Sequence, residues 1–353
     1  MAAFFLKEEI MSFIKRFFIC FIALTVCSMS VFAVPGVESM VDFPGTFVYY
    51  RDYTYEDETY IGFLQYDAGT YALRYFSPQA QKGAKSIELY ITCDTTKDTV
   101  EMTGEKIVGE INQIDVETLN YLHDLFYEFA ARRKALKNFN KTVRSTEQYA
   151  QFGGEVLMTF EPYIPMFGVR SIVSADKSLF KLVYIGILNS GSEFTDFAGL
   201  IKPEEQKKKA VSIKKNKKAK KASLEKFEFT LDEQWTKDES QAAVQTWWLN
   251  DKNNETLAVA SPYFVNFASD EKYAAMQIEL ISLLSQPGSC VDMESVAISQ
   301  NDKYIRIDAN VAQEDKTVRS ISTFYKISEN EYFAFVVSAD EQIFMKNEKY
   351  FKK

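Results

Sequence analysis

His123 is the single histidine in a chain of 353 residues, and four cysteines accompany it, Cys20, Cys27, Cys93 and Cys290. Serine–histidine–aspartate chemistry would have to pass through His123, and a zinc site built on several histidines cannot be assembled. His123 and Asp124 lie beside an apolar helical stripe, and a general base there would still need a positioned partner. No Gly-x-Ser-x-Gly elbow, phosphate loop or dinucleotide fingerprint occurs. The sequence therefore points to no catalytic residue, no cofactor and no metal site. The cysteine spacings match neither a redox nor a metal motif. Whether Cys93 and Cys290 pair or stay as separate buried thiols is left open by the sequence.

Three groups of residues could bind something. The first is the segment Tyr49 to Tyr60, YYRDYTYEDETY, where Asp52, Glu56, Asp57 and Glu58 cluster among tyrosines. Clustered carboxylates suit a hard cation such as calcium, but the spacing does not match a calcium loop. A solvated turn between two tyrosine-rich strands is the expectation, with Glu56 and Asp57 as the acids a carboxylate-based hydrolase would use and Asp52 beside them as a binding candidate. The second group is Trp247 and Trp248. In a strand, neighbours point to opposite faces, so one indole enters the core and the other is free to contact a sugar or a partner. The third is a lysine run from residue 202 to 226, with eleven lysines and three glutamates. Lys214, Lys215, Lys217 and Lys218 are its densest part, and clustered charge attracts polyanions. The run contains no aromatic residue for base stacking, which argues against nucleic acid. An anionic phospholipid or an acidic cell-wall polymer fits better.

These groups must be positioned by folded elements. The composition, 46% hydrophobic and 25% charged, is that of a globular protein. Aromatic strand-like stretches cover 47–50, 60–66, 71–76 and 86–93. A helix is expected over 116–139, with Val116, Leu119, Leu122, Phe126, Phe129 and Arg133 on one face. Strands resume at 155–160, 169–174 and 179–188. The second half repeats the order. Strands are expected at 227–231, 244–249 and 256–260, and a helix at 270–285 with Tyr273, Met276 and Leu280 inward. Strands follow at 293–299, 304–311, 318–327 and 332–337. Ile305, Ile307, Ala309 and Val311 alternate with polar residues, the mark of an antiparallel strand with one wet face. The expected class is α+β: two domains, each an antiparallel sheet packed by one main helix. The shared order is what a tandem duplication would leave. The expected division is 1–33 signal peptide, 34–201 first domain, 202–226 lysine-rich linker and 227–353 second domain.

The first segment sets the expected location. Lys15 and Arg16 precede an apolar run from Phe17 to Phe32, and Ala33 ends it. Basic start, short apolar core and small residue describe a secretory leader cleaved after Ala33. Met11 is an alternative start. Sixteen apolar residues fall short of the ~20 that a membrane-spanning helix needs, though an uncleaved anchor remains the rival. Leu24-Thr25-Val26-Cys27 also loosely resembles a lipoprotein signal, with Val26 bulkier than usual. A secreted or periplasmic protein is expected.

The second half, 227–353, resembles the PsbP/Mog1-type α+β sandwich in its order: early hairpin strands, the helix at 270–285, four antiparallel strands and a final amphipathic segment from Asp340 to Phe351. That resemblance implies a protein that binds or assists other proteins. The stretch FVYYRDYTYEDETYIGFLQYDAGTYALRYF, 47–76, resembles uncharacterised secreted proteins of spirochaetes. It implies an envelope location. The functional expectation is a non-enzymatic binding or accessory protein of the cell envelope, with a protein or envelope partner.

Overall fold

Aromatic and β-branched residues in alternation build most of this molecule into strands. The computed structural model describes residues 44–352, apart from 55–58, 68–69, 77–85, 95–98, 109–115, 137–138, 140, 150–153, 176, 189–210, 214–217, 226, 239–244, 268–270, 285–287 and 314–315. The expected leader, with Cys27, lies outside the described residues.

The first half contains β1 (Thr46–Asp52), β2 (Thr59–Asp67), β3 (Thr70–Phe76), β4 (Ser86–Asp94) and β5 (Thr99–Val108). The helix α1 (Val116–Leu136) follows, then β6 (Val143–Tyr149), β7 (Gly154–Phe160), β8 (Val169–Ser174) and β9 (Lys177–Ile187). The second half opens with β10 (Ala219–Leu224), β11 (Phe227–Asp232), β12 (Trp235–Lys237), β13 (Trp247–Asn250) and β14 (Thr256–Asn266). Next come α2 (Glu271–Leu283), β15 (Ser289–Gln300), β16 (Tyr304–Gln313), β17 (Lys316–Lys326) and β18 (Glu331–Asp340). Two short helices, α3 (Glu341–Lys346) and α4 (Glu348–Phe351), close the chain. The sheet is antiparallel, as the alternation predicts, and it dominates; the α+β description holds only loosely.

One sheet crosses both halves. Its order in the first half is β6-β7-β8-β9-β1-β2-β3-β4-β5, and in the second half β15-β16-β17-β18-β14-β13-β12. Strand β9 makes the join. One of its edges pairs with β1 from Asp52↔Phe180 to Thr46↔Ile187. The other edge is divided: β8 takes its start, with Ile172 opposite Phe180, and β15 takes its end, with Cys290 opposite Gly186 and Asp292 opposite Tyr184. Past the end of β8 the carbonyls and amides of β9 would otherwise lack partners, which a buried strand cannot tolerate. The expectation of two separate sheets is corrected accordingly.

The two long helices, α1 and α2, lie on the same face of this sheet. Val48, Tyr50, Ile61 and Phe63 meet Leu125, Phe126 and Phe129 of α1; Ile305, Ile307, Ala309 and Val311 meet Ala274, Ala275, Met276 and Leu280 of α2; all belong to one apolar cluster. The Phe63 ring lies 5.9 Å from Phe126, 5.7 Å from Phe129 and 5.1 Å from Phe167. Burying a ring of this size stabilises the fold by about 2–3 kcal/mol. The halves also meet through side chains. Thr142 hydrogen-bonds the Tyr273 hydroxyl, and Tyr163 stacks on the Tyr273 ring at 6.1 Å.

The expected linker over 202–226 does not hold at its C-terminal end. Residues 219–224 form β10, paired with β11 from Leu224↔Phe227 to Ala219↔Asp232. Val211, Ile213, Ala222 and Leu224 are interspersed among the lysines. Ile213 and Ala222 pack on the second half's outer cluster, and that contact offsets the ordering entropy a purely polar segment could not recover.

Candidate functional site

Of the expected binding residues, Trp247 and Lys218 lie on the outer face of the second half, opposite α2. The β10–β11 hairpin lies across it. Phe227 stacks on Phe333 with centroids 4.0 Å apart, and Phe229 contacts Phe335 at 5.5 Å and Trp247 edge-on at 6.2 Å. The Lys220 ammonium lies 4.6 Å from the Trp247 ring and donates to the carbonyl of Trp235. A cation held against an indole contributes roughly 0.5–2 kcal/mol. The hairpin turns through Glu225, whose φ of 51° is left-handed, as a two-residue turn demands.

The two adjacent tryptophans point to opposite faces. Trp247 is buried under the hairpin, and its indole N–H finds no acceptor among the described residues. Trp248 is half-buried on the α2 side and donates to Asp238 at 3.3 Å. Trp235 joins Trp247 in the outer cluster and donates to the Tyr350 hydroxyl at 3.1 Å; burial pushes the Tyr350 phenol up to about 12.

The lysine run is fixed on both sides of its densest part. The Asn347 side chain accepts from the Ile213 amide at 2.7 Å and donates to the Val211 carbonyl at 2.8 Å, while also donating to the Ile343 carbonyl within α3. Lys218 is exposed at the entry to β10, and its carbonyl accepts from Glu233. Lys214, Lys215 and Lys217 lie outside the described residues, between these two anchors. The structure therefore brings Lys218 and Trp247 to one face and places Trp248 on the other.

Asp52 is far from this surface. It ends β1 on the α1 side, is buried, and accepts from the amide and hydroxyl of Thr54. Burial raises its pKa, and the Thr54 and Tyr121 hydrogen bonds oppose that rise. It closes a local turn. Glu56 and Asp57 lie outside the described residues, so the acidic cluster is not assembled by what is described. His123 falls within α1, but its side chain and that of Cys93 are likewise outside. Cys290 is a free, buried thiol, with its pKa raised by burial and by Asp292. Among the described residues there is no group of three or more metal-ligating side chains, and no helix is long and apolar enough to cross a membrane.

Several residues escape sequence reasoning. Lys220 and Asn347 act on partners brought close only by the fold. Glu279 sits on α2 fully buried, with Ser320 donating to one oxygen at 3.4 Å and Ser338 donating to Ser320 at 3.1 Å. Ser322 stands near without forming a well-aligned bond. Burial raises Glu279 to about 7, against the weaker lowering by the Ser322 and Ser320 hydroxyls. Its only sequence signal is an acid between Met276 and Leu280 on the inward face of a helix.

Comparison with known families gives two matches that divide the chain at the lysine run. Residues 45–197 match a domain of unknown function, DUF7954. Residues 219–353 match a second domain of unknown function, DUF7955, whose span begins where β10 begins. No curated protein matches the sequence.

Proposed function

We propose that this is a non-enzymatic binding or accessory protein of the cell envelope, secreted or periplasmic, and that the lysine run on the second half is its contact with anionic envelope material. The observation that carries this reading is the double anchoring of the run. Asn347 grips residues 211–213, and β10 is paired from residue 219, so the described residues on both sides of Lys214, Lys215 and Lys217 are held to the second half. Tethered charge loses less conformational freedom on binding than a free tail. The element order of the second half supports the PsbP/Mog1-type sandwich, a class whose members mostly bind or assist other proteins.

The test is sedimentation of the purified protein with phosphatidylglycerol vesicles across a salt series. Binding that falls steeply with salt is expected, together with its loss when all four lysines become glutamine. Each lysine near an anionic surface contributes about 1 kcal/mol. Equal binding by the quadruple variant, or no binding by either protein, discards the reading.

A further inference from the structure

The outer face of the second half carries an aromatic row that the hairpin covers at one end. Tyr304 lies opposite Tyr325, Tyr325 opposite Phe333, and Phe333 opposite Phe264. The row crosses β16, β17, β18 and β14, with neighbouring centroids 6.3, 6.5 and 5.6 Å apart. Phe227 of the hairpin stacks on Phe333 and closes that end. The other end is open: Tyr325 is 38% exposed and Ile327 43%.

Arg306 stands at the open end. Its guanidinium lies 5.4 Å from the Tyr304 ring centroid, and Nε donates to Thr323 at 3.2 Å. The neighbouring Arg319 shows what an arginine on this face does when a carboxylate is in reach. It forms a fork with Asp308, at 2.8 and 2.7 Å. Arg306 has no carboxylate partner among the described residues. In a chain of net charge −8, a half-buried arginine kept from the abundant acids leaves its two terminal nitrogens to an outside anion.

We propose that Tyr304, Arg306 and Tyr325 form a binding site for a carboxylate-bearing sugar, its ring resting against the tyrosines and its carboxylate on the Arg306 fork. Tyrosine offers an apolar ring for the C–H face of a pyranose and a hydroxyl for its rim. The guanidinium matches a carboxylate bidentately. Tyr325 and Ile327 are the exposed large apolar residues at this end among the described residues, far fewer than the roughly 20–30 residues a side of a stable protein interface. That limit favours a ring-sized ligand over a protein. The site uses none of the lysines at 214–218, so it stands or falls separately from the vesicle experiment.

The test is calorimetric titration of the purified full chain with trigalacturonate, and with galactotriose as the neutral comparator. The expected result is binding of trigalacturonate about tenfold or more tighter than galactotriose. Arg306→Gln is expected to remove that preference, and Arg306→Lys to lose part of it by keeping charge without the fork. Tyr325→Ala weakens both sugars, and Tyr325→Phe, which keeps the ring and loses the hydroxyl, weakens them less; unchanged tryptophan emission certifies each variant's fold. The proposal is overturned by absence of trigalacturonate binding, by equal affinity for both sugars, or by a folded Arg306→Gln variant that binds as the parent does. Vesicle binding that depends on Arg306, with no sugar binding, also overturns it and assigns the arginine to a membrane.

Discussion

The two halves of this chain follow one plan and differ in what covers the outer face of the sheet. In both, a helix lies on the same inner face and enters a shared core. In the first half the outer face holds a small cluster, in which the Phe47 and Tyr49 rings lie over Gly186 and Gly62 and leave no room for a methyl group there. In the second half the outer face is layered with a lysine-bearing hairpin, two terminal helices and the strap at 211–213. The first half is joined edge-on to the second through β9, and among the described residues the lysine-bearing hairpin covers only the second.

The strongest way to break this comparison is to damage the first half and watch the other. Phe63→Ala removes a ring packed on both Phe126 and Phe129 and is expected to cost about 3–5 kcal/mol. All three tryptophans, Trp235, Trp247 and Trp248, lie in the second half. A shared core requires their emission to report the loss in urea titrations, although the substitution lies in the first half.

Next in size is the buried acid under α2. Burial raises Glu279 to about 7 in the folded protein, above its unfolded value. The folded state favours the protonated form, so the stability tied to that proton is complete below the unfolded pKa, near 4.5, and is lost as pH rises through about 7. That loss amounts to about 3 kcal/mol. Glu279→Gln is expected to flatten this part of the stability profile between pH 4.5 and 8; a profile unchanged by the substitution would show that ionisation of Glu279 does not destabilise the core.

The layered face itself is tested by Asn347→Ala. The substitution removes the hydrogen bonds that hold Val211 and Ile213, at an expected cost of about 1–3 kcal/mol. Limited proteolysis should then cut near 211–213 in the variant before the parent. The smallest effects belong to two tight turns among the described residues, one in each half. Ala175 and Glu225 have φ values of 50° and 51°. Ala175→Gly and Glu225→Gly are each expected to stabilise by up to about 1 kcal/mol, measured by thermal melting.

Much of the fold was legible in the sequence, for identifiable reasons. Ile305 to Val311 alternates cleanly because one face of β16 meets α2 and the other meets Arg319 and solvent. The helices are legible in their apolar spacing: Phe126 and Phe129 are buried as the period predicts, and Leu125 joins them. Strands β5 and β6 were not foreseen; Val143–Tyr149 is mostly polar because it is an edge strand with a largely wet surface. Strand β10 was hidden by its lysines, since Lys220 is held by the ring of Trp247, 27 residues further along the chain. The join between β9 and β15 leaves no periodic trace, because alternation says which face a residue takes and not which neighbour an edge will choose. Of the candidate site, the opposed tryptophans could be read from period alone. The strap at 211–213 could not, as its partner Asn347 lies over 130 residues away.

The account rests on the continuous sheet through β9, with Cys290 opposite Gly186 and Val291 opposite Ile185. Equilibrium unfolding of the parent protein, followed in parallel by tryptophan emission and by far-ultraviolet circular dichroism, tests it most directly. One coincident transition is predicted, because tryptophans confined to the second half would lose their packing together with strands of both halves. Two separated transitions, with the tryptophan signal following only one of them, would contradict a shared sheet and core.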